Sequence, residues 1–285
     1  MATLLACIDA SAHATGVCDY AAWAATRLSA SVELLHVLDR REIDPVSRDH
    51  SGVLGLGDQE SLREEYVAVE EQRHRLARQR GQLLLAAAAE RLRVAGIGEV
   101  TAHQRNGTLV EAVAEVASDT LMIVLGKRGE SAEHAGKEVG SNLERITRAV
   151  HTPILAVPPQ FRPVTRVLIG FDGGPAILKA IEQIAAMPLL PGATYYLLMV
   201  GHADDERRRA QLDAAARRFS DLGIRVMTEV VAGEPERVIV DHIEAIDADL
   251  LVIGAYGHSR LREMIIGSTT TALLRSAPIP VLMYR

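Results

Sequence analysis

The sequence predicts an α/β protein of two tandem domains, each a Rossmann-like five-stranded parallel sheet with helices on both faces. Three observations carry this reading. The 285 residues are long for one domain and comfortable for two of about 140. Continuous apolar runs such as "LMIVLG" and "LLVIG" suit strands buried on both faces, and they alternate with helix-length amphipathic runs, the grammar of a parallel, doubly wound sheet. The two halves can also be laid over each other element by element, which makes duplication the economical explanation.

The correspondence runs in order. "TLLACIDAS" at 3–11 matches "RVLIGFDGG" at 166–174, each an apolar strand ending in an acid, Asp9 or Asp172. A helix follows in each half, then a second strand, "SVELLHVLD" against "TYYLLMVGH". The third strands are "VTAHQRNG" and "VMTEVVAG", each leading through Gly107 or Gly233 into a helix. The fourth are "TLMIVLG" and "DLLVIGA", the fifth "TPILAVP" and "IPVLMYR". Between the halves, "PPQFRP" at 158–163 reads as a linker, because its prolines resist both helix and sheet. The domains are therefore expected at 1–160 and 161–285.

The halves differ in one large respect. Asp9 and Gly126 are 117 residues apart, Asp172 and Gly254 only 82, so the first half carries 35 extra residues between its second and third strands. The insertion occupies 41–95: a loop over 41–59, then a charged, Ala- and Leu-rich helix over 60–95, with Gly81 the point where a break is expected. Unbroken, that helix would be about 54 Å long. It reads either as a solvated surface helix or as a lid or dimerisation arm.

Composition narrows the function classes. Net charge is −6, which argues against a dominant nucleic-acid surface. No apolar run is long enough to cross a bilayer, and the N-terminus lacks the basic start and apolar core of a signal peptide, so a cytoplasmic protein is expected. The two cysteines, Cys7 and Cys18, sit in a strand and a helix without metal-ligand spacing and read as buried thiols. No metal site is expected.

The chemistry gathers at the carboxyl ends of the strands, where open parallel sheets bind ligands at the switch in strand order. In the second half Gly254 closes the fourth strand, Gly257 follows, and Gly267 and Ser268 come after nine further residues. Glycine lets the backbone approach a phosphate. The helix starting in "STTTALLRS", with Ser268 or Thr269 as cap, offers free N–H groups and a favourable dipole to an anion. Asp172 is placed to accept hydrogen bonds from a ribose hydroxyl or an adenine amine. P-loop and strand-one G-x-G-x-x-G patterns are absent from the sequence.

With these residues in view, the chain resembles a tandem universal stress protein. The repeated strand–Asp start carries the resemblance, together with "VIGAYGHSRLREMIIGSTTTALLRSAPIPVLMYR" and "VLGKRGESAEHAGKEVGSNLERITRAVHTPILAVP" at 124–158. It covers both halves apart from the 41–80 region. The resemblance implies an adenine nucleotide alpha hydrolase-like fold, ATP (or AMP or ADP) in the cleft with Mg2+ accompanying ATP, and a homodimer formed through the last strand. Carried over, Asp172 resembles the adenosine contact and Val200 the backbone contact to adenine. Gly254, Gly257, Gly267, Ser268 and Thr269 resemble the phosphate cradle.

The corresponding residues of the first half are Asp9, Val37, Gly126, Gly129, Gly140, Ser141 and Asn142. Here ten residues, not nine, separate Gly129 from Gly140, and Asn142 stands where the second half has Thr269. Glu130, Glu133 and Glu138 would repel phosphate, with Lys127, Arg128 and Lys137 offsetting them. The second half is therefore the expected working site. No catalytic residue is expected; slow ATP hydrolysis or autophosphorylation at Ser268 or Thr269 is the most the site would support. The rival readings are a nucleotide-free dimeric interaction module and a related nucleotide-dependent enzyme, such as an ATP pyrophosphatase.

Overall fold

The computed structural model describes residues 2–38, 56–130, 141–186, 189–190, 192–201, 205–255 and 268–285. The strands of the first half are β1 (Thr3–Cys7), β2 (Ser31–Leu38), β3 (Val100–Asn106), β4 (Met122–Gly126) and β5 (Ile154–Val157). Those of the second are β6 (Arg166–Gly170), β7 (Thr194–Val200), β8 (Val226–Val231), β9 (Leu250–Gly254) and β10 (Val281–Tyr284). Each half has the order 3-2-1-4-5, all parallel, as the alternation of apolar strands and amphipathic helices requires. The helices are α1 (Ala14–Leu28), α2 (Leu56–Val94), α3 (Leu109–Val116), α4 (Ser141–Ala149), α5 (Pro175–Ala186), α6 (Glu206–Ser220), α7 (Pro235–Ala245) and α8 (Ser268–Ser276).

The two half-sheets join into one sheet of ten strands, ordered β3-β2-β1-β4-β5-β10-β9-β6-β7-β8. The joint is antiparallel, with Leu155 opposite Leu282 and Ile154 opposite Met283. Both strands are fully buried. One core layer lies on each face, and each runs unbroken through the joint. Leu155, Val157, Leu282 and Tyr284 point into one layer, Ile154, Ala156, Val281 and Met283 into the other. β10 is hydrogen-bonded to β5 on one side and β9 on the other. The strand through which the resemblance implied a dimer is therefore paired on both edges within the chain.

The segment between the halves is packed. Phe161 meets the ring of Tyr20 edge-on at 4.8 Å, and the Arg162 N–H donates to the Tyr20 hydroxyl at 3.2 Å. Gly16 on α1 is where the chain passes closest: a Cβ there would lie 2.1 Å from the carbonyl oxygen of Pro158.

The inserted helix differs from expectation. α2 runs from Leu56 to Val94 as one helix, about 58 Å long, and Gly81 does not break it. Gly81 instead lets α2 press onto the sheet. A Cβ there would lie 2.1 Å from Gln104 Nε2 and 2.5 Å from His36 Cδ2. Gln104 Nε2 donates to the Arg78 carbonyl at 3.2 Å, and His36 is held by the bond between its Nδ1 and the Ile8 carbonyl oxygen at 3.0 Å. Leu85, Ala88, Ala89 and Leu92 bury the rest of this face, and Arg91 makes a two-pronged bond to Asp19 of α1. Residues 41–55 of the loop expected over 41–59 lie outside the described residues, and 56–59 already belong to α2.

An Ala at position 81 gains about 1 kcal/mol in helix propensity. Gln104 can swing aside, but the buried imidazole of His36 cannot. Gly81→Ala is therefore expected to cost a net 1–2 kcal/mol, roughly, through overpacking. Urea denaturation checks this; an increase in stability would show that α2 lifts off the sheet freely.

Candidate functional site

Strand register places the expected residues at matching positions in the two halves. β1 pairs with β2 from Thr3 opposite Ser31, and β6 with β7 from Arg166 opposite Thr194, so Val37 and Val200 occupy the same place near their strand ends. Gly126 and Gly254 are the last residues of β4 and β9. Ser141 and Ser268 each open a nine-residue helix that returns toward the final strand of its half. In each half the switch in strand order falls between β1 and β4, or between β6 and β9, and Asp9 or Asp172 sits two residues past the strand beside it.

Asp9 and Asp172 fold their own loops in the same way. Asp9 Oδ1 accepts the Ser11 N–H at 3.1 Å, and Asp172 Oδ1 accepts the Gly174 N–H at 2.8 Å, the short-range turn that an aspartate side chain favours.

In the first half, Asp9 Oδ2 also accepts the Glu130 N–H at 2.9 Å. A Cβ on Gly129 would stand 2.7 Å from that carboxylate oxygen, and one on Gly126 2.6 Å from the Cβ of His13. These glycines thus bring the β4 loop directly onto the loop after β1. Ser11 Oγ adds a long bond to the Arg128 carbonyl, 3.5 Å, and Arg80 of α2 pairs with Glu130 at 2.9 Å. In the second half Gly254 is less constrained: a Cβ there would make an ordinary contact, 3.4 Å from the Cβ of Ala176.

α8 begins at Ser268, with Ser268 exposed and Thr269 half-buried. Thr270 is buried, and its Oγ1 donates to the Gly254 carbonyl at 3.4 Å. This bond ties the first turn of α8 to the end of β9. Sequence reasoning did not single out Thr270; its signal was the run of hydroxyls. Leu143 fills that place in the first half. Gly257 and Gly267 lie outside the described residues, as do Gly140, Glu133, Lys137 and Glu138; Asn142 is half-buried in the first turn of α4.

Lys127 departs from expectation. It is buried, and Nζ donates to the Ala277 carbonyl at 2.6 Å, just past the end of α8 in the other half. Burial pushes the amine down to about 7. Arg285 does the reciprocal job, donating through Nη1 to the Arg148 carbonyl in the last turn of α4. Each cation lies where the helix dipole favours positive charge. Burial raises the Cys7 thiol to about 12 and the Cys18 thiol to about 11, so both stay protonated and unreactive near neutrality. Among the described residues no cluster of His, Cys, Asp and Glu is arranged to hold a metal, and no helix is long and apolar enough to cross a membrane.

A duplicated α/β unit, five parallel strands in the order 3-2-1-4-5 in each half, defines a tandem protein of the doubly wound class. Comparison with known proteins agrees. The sequence model of the Universal stress protein family matches residues 1–158 and again 163–285, and the chain belongs to that family. It is 37% identical over 287 residues to universal stress protein Slr1230 of Synechocystis, covering 100% of both chains. Universal stress protein Rv1996 of Mycobacterium tuberculosis is 25% identical over 66% of each chain. Among solved structures, a universal stress protein from Archaeoglobus fulgidus superposes with a TM-score of 0.73 at 19% identity, over 99% of this chain and 96% of that one.

Proposed function

We propose that this protein binds ATP or another adenine nucleotide at the carboxyl edge of its strands, chiefly in the second half, as a cytoplasmic stress-response protein. The observation that carries the reading is the bond from Thr270 to the Gly254 carbonyl. It fixes the N-terminus of α8, with the Ser268 and Thr269 hydroxyls, at the end of β9, the strand that pairs with β6, after which Asp172 follows. Free N–H groups and hydroxyls at a helix start form a donor set that fits phosphate. Asp172 and the Val200 backbone supply the nucleoside end, with Gly257 and Gly267 completing the cradle and Mg2+ accompanying ATP. A first-half site would use Asp9, Val37, Gly126, Gly129, Gly140, Ser141 and Asn142. The nine-residue spacing between Gly257 and Gly267, against ten between Gly129 and Gly140, supports one working site per chain. The protein acts as a binder, with slow ATP hydrolysis or autophosphorylation at Ser268 or Thr269 the most turnover expected of it. The homodimer belongs to the same reading, on a surface other than the last strand.

Titration calorimetry with ATP, ADP and AMP, with and without Mg2+, is expected to give close to one site per chain. Thr269→Asp places a carboxylate where the phosphate would sit, while an acid in the first turn suits the helix dipole. The expected result is at least about a tenfold loss of affinity, equivalent to ~1.4 kcal/mol, with an unchanged melting temperature. Unchanged affinity would move the site elsewhere, and no binding by the wild type at millimolar nucleotide would favour the nucleotide-free module.

A further inference from the structure

The long helix α2 has two apolar faces, and among the described residues only one is packed within the chain. Ala77, Gly81, Leu85, Ala88 and Leu92 face inward. On the other side Val69, Leu76 and Leu83 follow one another at seven-residue spacing, and they are 48%, 57% and 73% exposed. Residues seven apart on a helix lie within about 20° of one another, so these three form one stripe.

The helix also runs past the sheet. A crossover between parallel β2 and β3 must run antiparallel to them, and Gly81 is level with His36 and Gln104 near their carboxyl ends. Residues before Arg78 therefore extend beyond the edge, by about 30 Å over some twenty residues.

Charge along this overhang is sorted. Residues 67–71 hold Glu70 and Glu71 and no base, and residues 73–80 hold four Arg and no acid. A parallel pair of such helices would set like charge against like. An antiparallel pair crossing between Gln72 and Arg73 sets each acidic block against the other copy's basic block. In the same register Val69 of one copy meets Leu76 of the other, and Glu70 meets Arg75. Such a pairing is two-fold and isologous, so it closes at two chains.

We propose that the exposed stripe of α2 is a homodimer surface, on which a second copy of this chain packs its own α2 antiparallel. Hydrophobic layers at seven-residue spacing supply the association and the sorted charge supplies the direction. Both edges of β10 are already paired, so the dimer does not compete with the joint between the halves. The proposal stands on α2 alone and does not depend on nucleotide binding.

Light scattering on the full chain after size-exclusion chromatography is expected to give a dimer mass at micromolar concentration. Leu76→Asp, at a position already exposed to solvent, is expected to give a monomer with an unchanged melting temperature. Orientation is read by oxidation of single-cysteine variants, the native thiols being buried. Gln72→Cys sits next to the two-fold and is expected to give a disulfide-linked dimer. Leu83→Cys is not, because its two copies would be about 31 Å apart along the axis, far beyond disulfide reach. A monomeric wild type, or a Leu76→Asp variant that remains a dimer, overturns the proposal. Equal crosslinking at both positions overturns the antiparallel pairing.

Discussion

Lys127→Met is expected to be more stable than the wild type at pH 7, and the gap is expected to close as pH rises. The amine is buried, with its pKa lowered from 10.5 to about 7 by the loss of water around it. In the unfolded chain it titrates near the usual lysine value, so between about pH 7 and 10.5 the unfolded state holds more protons than the folded one. Stability then rises with pH, by about 1.4 kcal/mol per pH unit inside that window, and is lost as pH falls through it. Cys7 and Cys18 act in the opposite sense. Their folded pKa values are raised, so their effect lowers stability above roughly pH 9, where unfolded thiols ionise. They are common to both proteins and cancel in the difference. Met fills similar volume but loses the bond to Ala277, worth about 1 kcal/mol. Urea denaturation of both proteins at pH 7, 8 and 9 gives the difference directly. A pH-independent difference would mean that Lys127 is charged and hydrated in the folded protein.

The largest single loss is expected from Gly16→Ala. The added methyl carbon would stand 2.1 Å from the Pro158 carbonyl oxygen and 2.9 Å from the Pro159 carbonyl carbon. Both are backbone atoms and cannot rotate away, so either α1 or the segment between the halves must shift. Overpacking of this kind costs about 3 kcal/mol or more, against a helix-propensity gain of about 1 kcal/mol. Gly98→Ala is the control, since nothing lies within 4 Å of its added carbon; its effect is expected within about 0.5 kcal/mol of zero. Equal midpoints for the two variants would show that the inter-half segment yields at no cost.

What could be read from the sequence follows from how local each signal is. Strand and helix identity came from periodicity, and the pairing of Asp9 with Asp172 or Gly126 with Gly254 came from the repeat. The antiparallel joint of β5 and β10 left no local mark, because a strand buried on both faces reads the same whichever neighbour it pairs with. Gly81 was read as a break because glycine weakens a helix; its use here depends on His36 and Gln104, which are distant in sequence. The same holds for Lys127. Its neighbours in the chain suggested a cation offsetting the acids of the glycine loop, and only the position of Ala277, 150 residues away, turns it inward. Thr270 was hidden among equivalent hydroxyls until α8 was placed against β9.

The antiparallel joint has one further consequence. Because the strands of the second half run opposite to those of the first, their carboxyl ends emerge on opposite rims of the ten-stranded sheet. The two candidate clefts therefore open on opposite rims. α8 spans the distance between them: its first turn belongs to the second cleft, and its far end is gripped by Lys127 from the glycine loop of the first. α4 makes the reverse journey to Arg285. α8 and α4 are thus a reciprocal pair of struts, each rooted in its own half and held at its far end by a side chain of the other.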